Sequence, residues 1–438
     1  MTPLEKLYPV FLGGAAVCTD TRNIIHGCIF FALKGPAFNG NKFAVTALES
    51  GAAYAVVDEN NGPAGERLVM VDDVLMFLQA FANHHRKHLH IPVIGVTGSN
   101  GKTTTKELLN KVLATKFKTL CTKGNLNNHI GVPLTLLSIK SEHDFAIIEM
   151  GANHQKEIEL LCAIAEPTHV LITNVGKAHL EGFGGFEGVK KGKGEMYEYA
   201  KQHQSLVFIN SDNPHLVEML GDYLNSFRYG SSESNEVSGA VVTEGPFVAL
   251  QWKSGNNAGL QMLHTHLTGV YNFENILSAV AAGVCFDIDA KSINEAINSY
   301  EPDNQRSQVV KRGSNTIILD AYNANPTSME AALNNFDANF SGKRAVLLGD
   351  MFELGESAAK EHQLLVDKVE KLKFELVLFV GPNFKSATGN GASHFFDTSS
   401  DAAQWIRMQH IEKFNILIKG SRGSKMEVVL EGLKESKN

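Results

Sequence analysis

Cysteine is scarce and unorganised in this chain. Cys18, Cys28, Cys121, Cys162 and Cys285 are the 5 present in 438 residues, odd in number and never at CxxC spacing. That excludes a disulfide framework and a structural zinc site, and it fits a reducing cytoplasm. Long hydrophobic runs are missing too, because no apolar stretch reaches the ~18 residues that a bilayer span requires. The segment nearest to a targeting signal, 9–18 behind Lys6, is broken by Gly13 and Gly14 and followed at once by Asp20 and Arg22, which argues against a signal peptide. Positive charge is not in excess: Lys and Arg total 40 against 47 Asp and Glu, a formal charge of -7. No basic field draws the chain to nucleic acid or an anionic membrane, so an anionic ligand has to be held locally. With 12 prolines, 43% hydrophobic and 20% charged residues, the composition excludes disordered and collagen-like chains and leaves a folded, soluble protein.

At roughly 150 residues per domain, the length admits two or three domains. The first part carries short apolar stretches, Cys28 to Leu33 and Ala52 to Val57, around the turn-rich KGPAFNGNK at 34–42, which suggests a small α/β unit over 1–86. From there to 303, apolar strands at 93–96, 145–148, 170–173 and 206–209 alternate with helical patterns, the signature of a parallel α/β sheet. Weaker strands fill 226–267, and 275–286 reads as a small-residue apolar helix. The break at Glu301-Pro302-Asp303-Asn304 marks the second boundary. Beyond it, runs at 316–319, 345–348, 376–380 and 416–418 predict another parallel sheet over 304–438. Ligands collect at the carboxyl ends of strands in such sheets, so residues there are the first candidates for function.

The strongest single signal is GVTGSNGKTT at 95–104, a strand running into a glycine loop and a helix N-terminus. Unpaired backbone N–H groups and the positive helix end cradle phosphate there, a lysine reaches the outer phosphates, and a hydroxyl can ligate magnesium. Gly98, Ser99, Asn100, Gly101, Lys102, Thr103 and Thr104 are therefore nucleotide-binding candidates. The full GxxxxGKT spacing is not met, since position 96 is Val; the bland alternative is a tight turn with an exposed lysine. The next apolar strand delivers Glu149 to its carboxyl end, where an oxygen ligand for magnesium is needed. The strand after that ends in NVGKAH, which places His179 past the same sheet edge. Each alone reads as an ordinary solvated or hydrogen-bonded group, and their clustering favours function.

Further segments, GNLNNHIGVPLTLL at 124–137, EMGANH at 149–154 and NVGKAHLEGFGG at 174–185, together with the glycine loop, resemble the Mur ligases of peptidoglycan synthesis. DAYNANPTSM at 320–329, LGDMFELGE at 348–356 and IKGSRGSKME at 418–427 are similar to the branch that joins D-alanyl-D-alanine to UDP-N-acetylmuramoyl-tripeptide. The resemblance implies an N-terminal domain for the UDP end of the substrate, a central ATPase domain and a C-terminal Rossmann-like domain. It also implies an ATP-dependent, cytoplasmic, monomeric ligase working through an acyl phosphate with a pair of magnesium ions. By the same resemblance Lys102 holds the transferring phosphate, and Thr103 and Glu149 hold one magnesium. His179 lies near the second, and Lys193 is carried as a carbamate. Asn275 lies near adenine, with Arg306 and Asp320 near ribose or phosphates. Asp20, Thr21, Arg22, Lys34, Asn39 and Gly40 serve the uridine end, and Lys419, Ser421 and Arg422 lie where the dipeptide is organised.

The chain departs from the family pattern at Asn39 and Asn41, where Asp and His are expected, at Tyr271, and at Leu319 and Ala321 beside Asp320. The phosphate and magnesium positions keep the expected residue types. Two alternatives stay open on sequence: another ligase of the superfamily, such as a folylpolyglutamate synthetase or the preceding Mur ligase, and a nucleotide-binding switch with no ligase chemistry. The second explains the glycine loop but leaves Glu149, His179 and Lys193 without a role.

Overall fold

The structure is a computed structural model that describes residues 1–59, 65–242, 245–255, 259–389, 391 and 393–433. The chain forms two compact units, one of residues 1–95, 117–151 and 157–169, the other of 96–116, 152–156 and 170–438.

In the first unit, strands Val17–Cys18, Ile29–Phe31, Tyr54–Val57 and Leu68–Met70 form a parallel sheet in that order. Cys18, Cys28, Phe30, Ala44, Ala47, Ala55 and Val57 make its core, so both N-terminal cysteines serve as small apolar groups. The turn-rich segment becomes a two-stranded antiparallel ribbon, Lys34–Gly35 with Phe38–Asn39, followed by a 3-10 turn at Gly40–Phe43. Gly40 is required there, because a Cβ would lie 2.4 Å from the Leu33 carbonyl oxygen. The Val74–His88 helix starts where Asp73 accepts from Met76 N at 2.7 Å. Strands Thr119–Cys121 and Phe145–Glu149 pair in parallel in the same unit.

In the second unit, strand Leu206–Asn210 pairs in parallel with Ser226–Gly230, and that strand with Val237–Val241, so the first of the weaker strands continue the parallel pattern. It then turns antiparallel through Phe247–Ser254 and Gln261–Thr268, a change no crossover helix announces. The helix after the glycine loop is Lys102–Leu113, and the small-residue helix expected at 275–286 is Asn272–Cys285. The C-terminal sheet runs in the order Gln308–Arg312, Asn315–Asp320, Phe414–Lys419, Lys343–Gly349, Leu376–Val380, His394–Phe396. All of its pairs are parallel except the first. Alternate residues go to opposite cores: Ile318, Val346, Leu348 and Leu417 to one face, Ile317, Leu319, Leu347 and Ile418 to the other. Covering both faces is what turns a period of two into a continuous apolar run in the sequence. The short strands Gln308–Arg312 and His394–Phe396 escape that signal because they sit at the edges.

One buried and one half-buried imidazole in the first unit, His85 and His169, couple the fold to pH. His85 Nε2–H donates to Ile139 O at 3.0 Å while Nδ1 accepts from the Tyr8 hydroxyl at 3.2 Å, so the ring is used as the neutral base. Burial holds His85 below the ordinary histidine value of 6.5 and His169 down at about 4. The unfolded chain therefore takes up protons first. Stability is complete above about pH 6.5 and is lost as pH falls from there toward 4, by on the order of 3 kcal/mol from His169. Urea unfolding between pH 7.5 and 4.5 should show this slope, and the double substitution His85→Gln, His169→Gln should flatten it; an unchanged slope would refute the assignment.

Candidate active site

Glycine is needed in the loop for space as well as for conformation. Gly98 has φ +141, and a Cβ there would sit 2.0 Å from Thr173 Oγ1; Gly101 has φ +79, and a Cβ there would lie 2.4 Å from Asn275 Oδ1. Gly101 occupies the N-cap of the Lys102–Leu113 helix and has no side chain to cap it, and the positive end of such a helix suits an anion. Lys102 curls back over the loop, its Nζ donating to Gly98 O at 2.7 Å and Ser99 O at 3.3 Å, which keeps the ammonium at the mouth. Thr103 and Thr104 are buried beneath it.

The loop is fastened to the segment after strand His169–Ile172. Ser99 N donates to Asn174 O at 3.0 Å and Asn100 N to Asn174 Oδ1 at 3.0 Å. Asn174 Nδ2 and Thr173 Oγ1 return bonds to Asn100 O at 3.1 and 2.6 Å, and Gly176 N donates to Ser99 Oγ at 2.9 Å. From the other side, Asn275 Oδ1 accepts from Thr105 Oγ1 at 3.1 Å, and its Nδ2 donates to Asn272 Oδ1 at 2.8 Å. Asn275 thus braces the helix start and touches the loop at Gly101.

The same segment carries His179, a non-glycine residue at φ +53. Its Nδ1–H donates to the carboxylate of Glu353, itself at φ +62. Hydrogen bonding from His179 holds the Glu353 carboxyl below its ordinary range. A histidine whose one nitrogen donates to a carboxylate presents the other as a metal ligand, so this pair fits a cation site. Glu353 was not singled out from sequence. Its loop is set by buried Asp350, which accepts from Asn383 N at 3.0 Å and Phe384 N at 3.1 Å.

Lys193 lies on the Phe186–His203 helix, buried, its Nζ 3.2 Å from Ala152 O and 5.2 Å from the Phe183 ring centroid. Two residues on, Glu195 accepts from Lys156 N at 2.6 Å and pins the 152–156 segment. At the carboxyl edge of the C-terminal sheet, Arg306 stacks on Tyr322 at 4.0 Å, with its Nε buried and without a hydrogen-bond partner among the described residues. Asp320 forms an ion pair with buried Lys419, its register partner on the adjacent strand. Arg422 Nη1 donates to Gln305 Oε1 and Glu427 Oε1, both at 3.1 Å.

In the first unit, Glu149 is buried at its strand end, its Oε1 accepting from Asn127 Nδ2 at 2.7 Å and its N–H donating to Thr122 Oγ1 at 3.0 Å. Arg22 grips Asp20 through Nε and Nη2 at 2.9 and 2.7 Å, and that fork holds the exposed Asp20 carboxyl at about 2. Asp20 also caps the 3-10 turn of Thr21–Asn23. Lys34 pairs with Asp58 and Glu59, each at 2.9 Å. The asparagines at 39 and 41 act as a set: Asn39 donates to Glu59 Oε2 at 2.8 Å and accepts from Asn41 Nδ2 at 3.0 Å. Buried Asn41 also donates to Asp58 Oδ1 at 2.7 Å. An amide can donate and accept at once, which carboxylate neighbours require. Among the described residues no group of three or more His, Cys, Asp or Glu side chains forms a metal cage. A magnesium ion held partly by nucleotide phosphate does not need one.

The sequence pattern of the Mur ligase middle domain matches residues 96–283, and that of the Mur ligase glutamate ligase domain matches 305–422. The chain is similar to the UDP-N-acetylmuramoyl-tripeptide--D-alanyl-D-alanine ligases of Bacillus subtilis, at 32% identity over 96% of this chain and 93% of that one, and of Escherichia coli, at 33% over 96% and 94%. Among solved structures, MurF from Acinetobacter baumannii superposes with a TM-score of 0.85 at 29% identity, over 95% of this chain and 92% of that one. MurF from Thermotoga maritima, crystallised in complex with ADP, gives 0.84 at 25% identity over 96% and 97%.

The steric limits at the loop set a direct test. Gly98→Ala should leave the protein folded while weakening binding of a fluorescent ATP analogue by roughly tenfold or more, about 1.4 kcal/mol. Unchanged affinity would refute the reading of the loop as a phosphate cradle.

Proposed function

The chain belongs to the Mur ligase family, and on that premise we propose that it joins D-alanyl-D-alanine to UDP-N-acetylmuramoyl-tripeptide in the cytoplasm. It is an ATP-dependent ligase. The products are ADP, phosphate and UDP-N-acetylmuramoyl-pentapeptide. The observation that carries the substrate assignment is that similarity to ligases of this name runs through 96% of the chain, beyond the 96–283 core that the superfamily shares.

The chemistry follows from a poor electrophile. A carboxylate resists attack by an amine, so its oxygen first takes the γ-phosphoryl group of ATP; the dipeptide amine then adds to the acyl phosphate carbon, the C–O bond breaks, and phosphate leaves with its electron pair. Lys102 and the positive end of the helix that follows the loop hold the transferring phosphate where charge develops. By the family resemblance Thr103 and Glu149 would each offer an oxygen to one magnesium, and His179, with Nδ1 committed to Glu353, would offer Nε2 to another. Bound magnesium would neutralise phosphate charge at these residues. Arg306 and Asp320 serve the ribose or phosphates, and Asn275 lies near adenine. Asp20, Thr21, Arg22, Lys34, Asn39 and Gly40 hold the uridine end. These roles divide over an N-terminal domain at 1–86, a central ATPase domain at 87–303 and a C-terminal domain at 304–438, in a monomer.

Lys193 is the least ordinary assignment. A buried cationic amine repels magnesium, whereas its carbamate, formed with carbon dioxide by loss of a proton, is an anionic oxygen ligand. The burial of Lys193 is what supports this reading; the Ala152 O and Phe183 contacts are those of the unmodified amine.

Phosphate release is to be measured with ATP, magnesium, UDP-N-acetylmuramoyl-tripeptide and D-alanyl-D-alanine, omitting each in turn. Turnover should require the dipeptide; ATP hydrolysis indifferent to any acceptor would overturn the ligase, and turnover with a free diamino acid on the shorter substrate would move it to the preceding step. Separately, Lys193→Ala should lose about a hundredfold or more in kcat, as for loss of a group aimed at transition-state charge, and recover part of it with a short-chain carboxylate in the buffer. Full activity without the lysine would reject the carbamate.

A further inference from the structure

Helix Pro326–Asn339 begins with a residue that is over-equipped for capping. Asn325 is buried, its Oδ1 accepts from Ser328 N at 2.9 Å and its own N–H donates to Ser328 Oγ at 3.1 Å, which completes a reciprocal cap. Ser, Thr or Asp would cap equally well. Of these, none keeps an N–H donor with the reach of an amide once its oxygen is committed. In Asn325 that spare donor is used: Nδ2 donates to Asn100 Oδ1 at 2.7 Å, across 225 residues of sequence.

Asn100 is the residue of the phosphate loop best placed to transmit its position. Its backbone N–H and carbonyl are both tied to Thr173 and Asn174, so the side chain is what remains to report outward. The same helix start has a second contact on the neighbouring segment, where Lys177 N donates to Thr327 Oγ1 at 3.1 Å; Lys177 Nζ in turn pairs with Glu361, on helix Ala358–Leu372, at 3.0 Å. Gly176 lies between, where a Cβ would be 3.3 Å from Thr327 Oγ1 and 3.4 Å from Asn100 Nδ2. Just before the helix along the chain come Asp320 and Tyr322, the latter under Arg306.

We propose that Asn325 is a positioning residue: its amide fastens the phosphate loop to the start of helix Pro326–Asn339, so that the loop's nucleotide-bound position sets the register of Asp320 and the Arg306–Tyr322 stack. The inference rests on the nucleotide reading of the loop. It assigns Asn325 no contact with the reacting atoms. Its effect runs through Asn100, and the spare amide donor explains why asparagine occupies this N-cap.

The test separates capping from fastening. Asn325→Ser keeps the cap and removes the reach, so Tm should stay within a few degrees of wild type while kcat falls roughly tenfold and KM for ATP rises. Asn325→Asp keeps the cap and the length, and an Asn100 amide turned to donate should restore most of the rate. Asn100→Ala and the double variant Asn100→Ala, Asn325→Ser should have the same kcat, because both remove one interaction. Wild-type kinetics in Asn325→Ser, or multiplicative losses in the double variant, would overturn the proposal. A loss of rate matched by a large fall in Tm in both Asn325→Ser and Asn325→Asp would also overturn it, leaving a capping residue only. Failure of the underlying reading looks different: the wild-type chain would itself bind no ATP.

Discussion

The site depends on the close approach of two backbone segments. The loop at 97–101 passes so near Thr173 and Asn275 that no side chain fits at Gly98 or Gly101, and hydrogen bonds from Ser99, Asn100, Thr173 and Asn174 hold the approach. Those bonds take up polar groups of the loop, and Gly101 at the N-cap brings no side-chain hydrogen bond to the helix start. Anion binding is then a consequence of how the backbone is satisfied, and it needs no general positive charge on a protein whose net charge is -7.

From that contact the remaining chemistry is reached in short steps. The segment that braces the loop also carries His179, and the turn that presents Glu353 to it is anchored by buried Asp350. Two non-glycine residues in left-handed conformation meeting at one hydrogen bond is an expensive arrangement, of order 1–3 kcal/mol each where the side chain resists it, and such arrangements concentrate where function requires them. Asp320 and Lys419 face each other by strand register, so one ion pair ties two adjacent strand ends of the C-terminal sheet.

Much of this was legible in the residues. The glycine loop, Glu149 and His179 all follow apolar strands, and strand ends are where parallel sheets place their ligands. The C-terminal parallel sheet was legible for the same reason, since strands covered on both faces read as unbroken apolar runs. The antiparallel turn of the strands between 237 and 268 was not, because their half-exposed faces carry polar residues such as Gln251, Lys253, His264 and His266 that dilute the signal. Lys193 reads from sequence as one lysine in a charged stretch; only its helix position, turned inward against Phe183, sets it apart from Lys190 and Lys191.

What the sequence determined by itself is whatever is encoded within a few residues: the alternation of strand and helix, the glycines at positive φ, the strand-end acids and the resemblance carried by contiguous motifs. What only the tertiary structure decided are pairings between residues far apart in the chain. Glu353 meets His179 across 174 residues, and Asn325 meets Asn100 across 225. Such a hydrogen bond leaves no periodic trace in either segment. Each partner, read in its own neighbourhood, is an exposed acid after a strand or a good helix cap, and its second role exists only because the fold brings the other side chain within bonding distance.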